Sequence, residues 1–290
     1  MKYKPVFIIG AGRSGTKYLR DALAASPAVA RVPFDVGYIW RKGNELLPHD
    51  EIDAESVSNE SITWIRRIIP KLIDRDEKKL RATILVEKSV PNSLRPLLLY
   101  KAFPNATFIH LVRDGRAVTE SAMRMWQTRP EMGYLVNKLR YFPWSNLRYG
   151  FWFLRNIFFK LIRPEQSIWG PRYKGISEDL NKEPLHVVCA RQWLHCVDVA
   201  FRQLASIPSD QVITLRYEDV MNGTETLEKL CASLGISSGE VLEYHFSKGR
   251  TGENEKWRIR LSQDVQDEIA IVFESLPPSI HKYIFDTKAI

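Results

Sequence analysis

Three clusters of side chains in this 290-residue sequence could act on an anionic group. The first is Gly10-Ala11-Gly12-Arg13-Ser14-Gly15-Thr16-Lys17, which follows an apolar run at residues 6–9. Small residues let backbone N–H groups close on phosphate oxygens, and a following helix adds its positive end. The Ser14 and Thr16 hydroxyls can donate further hydrogen bonds, and Arg13 brings a fixed fork of donors. Taken alone, a plain glycine turn between strand and helix explains this loop equally well. The second cluster is Arg113 and Ser121, in the run His110-Leu111-Val112-Arg113-Asp114-Gly115-Arg116-Ala117-Val118-Thr119-Glu120-Ser121. Arg113 ends a strand pattern, and Ser121 lies eight positions on, two turns into a helix. Both can reach one phosphate if the helix packs back along a crevice. Arg116 can instead pair with Asp114 or Glu120, and a surface Arg-Asp-Arg network is the plainer reading of this cluster by itself. The third is Glu87-Lys88, just after an apolar run at 83–86. Its plain reading is a surface lysine paired with its neighbour.

The elements that must position these residues alternate. Strand patterns at 6–9, 83–86, 107–112 and 212–215 alternate with helical patterns at 18–25, 94–102, from 115 onward, at 187–204, at 225–234 and at 263–276. Residues 41–63 are polar and look like loop with some helix, and 235–256 are dominated by glycines and charges. Strands alternating with helices predict an α/β fold with a mostly parallel sheet and helices on both faces. Ligands then sit beyond the carboxyl ends of the strands, so the segments after residues 9, 86, 112 and 215 should surround one crevice. Residues 134–173 differ from the rest, because Tyr, Phe and Trp alternate there with Arg and Lys. A helical, aromatic-rich insertion at about 130–180 within one domain spanning 1–290 is the expected arrangement.

Composition narrows the function classes. Hydrophobic residues make up 44% and charged residues 26%, so a packed core is available and disorder is not the default. The net charge of +8 suits an anionic partner: a phosphorylated cofactor, an acidic glycan, nucleic acid or a membrane surface. Cys189, Cys196 and Cys231 form neither a CxxC pair nor an even set, which argues for buried reduced thiols. No apolar run is long enough for a signal segment or a membrane span, so a cytoplasmic protein is expected. The triphosphate-binding pattern GxxxxGK[ST] fails at Thr16, where it needs lysine, which disfavours a magnesium-dependent ATPase or small-molecule kinase. Gly10, Gly12 and Gly15 match GxGxxG spacing, but the Arg-Ser pair in the loop and the lack of a ribose-binding acid weaken a dinucleotide reading.

Two anion sites on neighbouring strand–helix units suit a molecule with a 5′-phosphate group and a separate 3′-phosphate. Together the motifs resemble the sulfotransferases that use 3′-phosphoadenosine 5′-phosphosulfate (PAPS) and release adenosine 3′,5′-bisphosphate (PAP). Arg13-Ser14-Gly15-Thr16 looks like the family's 5′-phosphosulfate loop, and Arg113 with Ser121 like its 3′-phosphate motif. Phe103-Pro104-Asn105-Ala106-Thr107-Phe108 and Val112-Arg113-Asp114-Gly115-Arg116-Ala117 are especially similar to the tyrosylprotein sulfotransferase branch. Arg216-Tyr217-Glu218-Asp219 matches a later strand-end motif, and residues 247–257 resemble a cofactor-covering loop, best at Lys256-Trp257. The resemblance runs from residue 6 to about 260 and weakens at 37–80 and 130–180. It implies a P-loop-NTPase-like sheet. It also implies a donor site of Gly12, Arg13, Ser14, Gly15, Thr16, Lys17, Arg113, Ser121, Tyr217 and Lys256, while the needs of sulfuryl transfer itself call for no metal.

Sulfuryl transfer needs an in-line acceptor, cations for the leaving phosphate oxygen and a base for the acceptor's proton. Arg13 is the natural stabiliser of the leaving group. Lys88 occupies the position of the family's catalytic lysine, shortly before Pro91. The branch's acid aligns with Phe34, so Asp35 beside it and Glu87 are the candidate bases, with His110 a weaker third. The missing acid leaves the acceptor open. A carbohydrate or small hydroxylated metabolite comes first, a peptidyl tyrosine second, and a lipid-linked acceptor met by peripheral contact with a membrane third. Nucleic-acid binding is the rival from another class, since charge and interleaved aromatics are its features. The arginines of both motifs lie in strand-end loops rather than along one exposed stripe, so nucleic acid is not expected as the partner.

Overall fold

A continuous apolar stretch bounded by a glycine makes the first strand, β1 (Lys4–Ile9), and its position in the sheet sets the rest. The structure, a computed structural model, describes residues 2–73, 81–128, 168–249, 252 and 254–285. With β2 (Val29–Arg31), β3 (Ile84–Glu87), β4 (Thr107–Val112) and β5 (Val212–Arg216), β1 forms a five-stranded sheet in the order β2-β3-β1-β4-β5. Every pairing is parallel. β1 is central, between β3 and β4, so all four expected strand ends open on the same side.

Side chains alternate across this sheet with period two. Phe7, Ile9, Leu85 and Phe108 face one layer, where they meet Trp40 and Phe103 together with α2 (Asn59–Ile68), α3 (Pro96–Ala102) and α6 (Leu185–Leu204). Val6, Ile8, Ile84, Val86, Ile109 and Leu111 face the other. There they meet α1 (Thr16–Leu23), α7 (Tyr217–Asn222), α8 (Glu225–Leu234) and α9 (Gly239–Lys248). A third cluster joins α4 (Gly115–Gln127) and α6 to α11 (Gln263–Phe273) and α12 (Pro278–Phe285) through Val118, Trp193 and Phe273. Two further helices, α5 (Ile176–Lys182) and α10 (Lys256–Arg260), complete the described α-helices. Cys189, Cys196 and Cys231 are buried free thiols. Among the described residues no helix is long and apolar enough to cross a membrane.

Several boundaries differ from the sequence reading. β2 is an additional edge strand of three residues. The polar stretch ends in α2, capped by the Ser58 hydroxyl, which accepts from the Ser61 N–H at 3.2 Å. The glycine- and charge-rich 235–256 segment contains α9, the expected 263–276 helix is α11 and ends at Phe273, and α12 is an additional helix that follows Pro277. Pro96 starts α3, so the helical pattern at 94–102 begins with a short 3-10 turn, Val90–Leu94, instead. Most of the expected aromatic insertion falls at 129–167, outside the described residues.

Candidate active site at the strand ends

The loop between β1 and α1 is shaped by backbone that few residue types accept. Gly15 has φ +86°, and a Cβ there would come within 2.5 Å of the Tyr217 ring. Arg13 takes φ 71° despite its side chain, a left-handed conformation costing about 1–2 kcal/mol for a non-glycine residue. Strain of this kind clusters where it serves a site. It turns the otherwise exposed Arg13 so that its Nε donates to Ser121 Oγ at 2.9 Å. Arg113 Nη1 donates to the Arg13 carbonyl at 2.9 Å. The loop and the β4–α4 junction, read separately from sequence, are thus one constellation. Ser14 Oγ is buried there and has no hydrogen-bond partner, a cost repaid by an acceptor such as a phosphate oxygen. Thr16 is buried beside it, whereas Lys17 points to solvent.

Arg113 is fixed from several sides. Its Nε donates to Asn254 Oδ1 at 2.8 Å, and its guanidinium lies 4.3 Å over the Tyr217 ring. Trp193 Nε1 donates to its carbonyl at 3.1 Å. Asn254 Nδ2 donates at 2.5 Å to Glu218 Oε1, which also accepts the Asp114 N–H at 3.1 Å. The strand-end motif after β5 and the late loop therefore close on Arg113. Partial burial, then the charges of Arg113 and Arg124, hold the Arg13 guanidinium below its ordinary pKa. A cation destabilised by neighbouring cations is arranged to receive an anion. Glu120 offsets part of this charge by pairing with Arg124 at 2.8 Å and Arg260 at 3.0 Å. Arg116 turns away to Asp114 and stacks on Trp257 at 4.5 Å, the structural alternative its spacing allowed. Lys256 opens α10 next to that tryptophan.

At the end of β3, Lys88 is buried rather than on the surface, and it pairs with Asp35 rather than Glu87, Nζ donating to Oδ1 at 2.5 Å. Asp35 keeps 29% of its side chain exposed, enough to meet a second partner from solvent. Glu87 points into the layer of Leu85. It accepts from Ser89 Oγ at 2.5 Å and Asn92 Nδ2 at 3.0 Å. Burial, with the charge of Asp35 adding, pushes its carboxyl up to about 7, against the opposing Ser89 hydrogen bond and the Lys88 and Arg95 charges. The chain of contacts continues from Asn92 to Arg95 at 3.1 Å, and from Asp50 to both Arg95 at 3.5 Å and Arg41 at 2.8 Å. His110 is buried against Phe201, ring centroids 4.6 Å apart, and burial lowers its pKa to about 3.

Two residues that sequence reasoning passed over also stand here. Asn254 gave no signal beyond its place in the late loop. Trp169 was counted only within the aromatic stripe, yet its ring comes within 3.3 Å of where a Gly12 Cβ would be. Among the described residues no group of three or more His, Cys, Asp or Glu could hold a metal ion.

Residues 5–143 match the model of the sulfotransferase family. No curated protein matches the chain. Among solved structures, the sulfotransferase domain from the curacin biosynthetic pathway is similar with a TM-score of 0.53 and 18% identity, covering 94% of this chain and 96% of that one. The sulfotransferase domain from the Synechococcus PCC 7002 olefin synthase gives 0.51 and 17%, covering 96% and 98%. Sulfotransferase STF9 from Mycobacterium avium gives 0.54 and 11%, covering 95% and 77%. The chain thus has the fold of these sulfotransferases, and the segment carrying the β1–α1 loop and the Arg113–Ser121 pair matches the model of the sulfotransferase family.

Proposed function

We propose that the chain transfers a sulfuryl group from PAPS to a hydroxyl of its acceptor. The observation that carries this reading is the convergence of Arg13, Arg113 and Ser121 beside the unpartnered, buried Ser14 hydroxyl. The residues fit the donor. The Gly12–Thr16 loop and Ser14 suit its 5′ end, and Arg113 and Ser121, backed by Tyr217 and Asn254, suit a 3′-phosphate. PAPS supplies an activated sulfuryl group whose leaving atom is a phosphate oxygen. Lys88 places an ammonium at the neighbouring strand end, where it neutralises charge growing on that oxygen, and Arg13 shares this work. Asp35 takes the acceptor's proton, because it is partly exposed and adjoins Lys88. Glu87 is buried with both oxygens engaged and holds the β3 end in place. A carbohydrate or small hydroxylated metabolite remains the favoured acceptor. The tyrosylprotein-like and lipid-linked alternatives draw on motif similarity and net charge alone. The buried free thiols accord with a reducing, cytoplasmic setting.

Calorimetry tests the donor assignment. PAP should bind the wild type, ATP with magnesium much more weakly, and Arg113→Ala should lose about 1.5–3 kcal/mol of PAP affinity, the worth of a hydrogen bond to a charged group. Ser121→Ala should lose about 0.5–1.5 kcal/mol. Equal affinity for PAP and ATP, or an Arg113→Ala variant that binds PAP like the wild type, would remove the basis for the assignment.

A further inference from the structure

Trp169 is held in place more firmly than its loop position requires. Gln192, buried on α6, uses one amide nitrogen to donate to both the Trp169 and Pro171 carbonyls, each at 2.8 Å. Gly170 between them takes φ +80° directly over that side chain. One residue further, Arg172 and Asp50 exchange hydrogen bonds, Asp50 N–H to the Arg172 carbonyl at 2.7 Å and Arg172 N–H to Asp50 Oδ2 at 2.9 Å. Asp50 is the carboxylate already gripped by Arg41 and Arg95. The segment is therefore tied to α6 and, through Asp50, Arg95 and Asn92, to the β3 end that carries Lys88. Pinning of this kind fixes the indole in one place. That place is against Gly12, where Val90 also approaches, so the ring and the segment after Lys88 meet the phosphate loop at the same residue. The indole stays partly exposed, and no other ring stacks on it among the described residues.

A rigid, partly open indole beside the transfer site is a platform for a flat ligand face, because aromatic rings bind apolar ring faces at small entropic cost. We infer that Trp169 receives the acceptor, and that the acceptor carries its hydroxyl on a ring, either a pyranose or a phenol, rather than on an acyclic chain. The inference rests on the donor reading above and adds the class of acceptor. Trp169 touches the part of the acceptor that does not react, so its contribution is binding common to ground and transition states.

The test uses saturation-transfer NMR with the full chain, PAP-loaded, and three probes: 4-nitrophenol, methyl β-glucopyranoside and hexanol. At least one ring probe should bind the wild type, with hexanol weaker. Trp169→Ala should lose about tenfold in affinity for the ring probe, as when an aromatic anchor is truncated, with PAP affinity unchanged. Trp169→Phe should keep most of the affinity. Which ring probe binds tells sugar from phenol. The inference is overturned if neither ring probe binds the wild type, or if Trp169→Ala binds them as the wild type does. It is overturned also if Trp169→Ala loses PAP affinity, which would assign the indole to the donor site or to the fold. A wild type that fails to bind PAP defeats the donor reading instead. The same titration on the unloaded chain then still decides whether Trp169 holds ring compounds.

Discussion

At the scale of single residues, the proposed function divides the strand-end cations into those that would hold the donor and those that would act on it. Arg113 is buried, stacked and hydrogen-bonded, and it is suited to grip a group that does not change during transfer. Lys88 is a point charge with an acid beside it, suited to charge that appears only as a bond breaks. Lys88→Ala should accordingly lower kcat by about 10²–10³-fold, as loss of one preorganised stabiliser does elsewhere, while PAP affinity scarcely moves. Lys88→Arg should recover only part of the rate, since a planar fork cannot occupy the place of an ammonium. Single-turnover kinetics with a slow phenol, alongside PAP calorimetry, separate the two quantities. Near-normal turnover in Lys88→Ala would reduce the Lys88–Asp35 pair to structural support. Asp35→Asn, in the same assay, should remove turnover and leave PAP binding and the fold intact.

At the scale of elements, the β1–loop–α1 unit works because one position accepts what an L side chain resists. Gly15→Ala meets two penalties, the positive φ and the Tyr217 ring. Gly235→Ala, at φ +69° with nothing within 4 Å, meets only the first. Both should destabilise the chain by about 1 kcal/mol or more in urea unfolding, but only Gly15→Ala should also weaken PAP binding, by displacing Tyr217 from beneath Arg113. Similar PAP affinity in the two variants would mean that Tyr217 yields without disturbing the arginine. Local pattern made four of the five strands and about half of the described helices legible, because a buried parallel strand is a short apolar run and an amphipathic helix repeats its apolar face. β2 was not legible, since Val29-Ala30-Arg31 is too short to show a period. Nor was α9, whose flanking Gly239 and Gly249 read as loop. In the site, the loop and Arg113 with Ser121 stood out because each lies at a strand–helix junction. The Lys88–Asp35 pair spans 53 positions and the Arg113–Asn254 bond 141, and no spacing rule reaches so far. Trp169 hid among similar residues, and only its backbone tether to Gln192 sets it apart.

At the scale of the whole molecule, the buried polar chain from Glu87 to Arg41 couples the layer around Trp40 to the sheet's carboxyl edge. Glu87 faces Asp35, Lys88 and Arg95, and it is the member with a raised pKa, about 7. A carboxyl raised on folding binds its proton more tightly in the folded state. Its contribution to stability is full below the unfolded value, about 4.5, and is lost as pH rises through about 7. Urea unfolding across pH 5–8 should therefore show stability falling as Glu87 ionises, and Glu87→Gln should flatten that slope. An unchanged slope in Glu87→Gln would mean that the carboxylate is charged throughout. The sheet order has a different consequence, one of timing. β1 precedes the other strands in the sequence, yet its neighbours are β3 and β4, and Arg113 at the end of β4 is held by Tyr217 and Asn254 from much later in the sequence. A nascent polypeptide carries the β1–α1 loop well before the residues that hold Arg113 have emerged, so on the proposed reading a nucleotide is gripped only once Asn254 has been made.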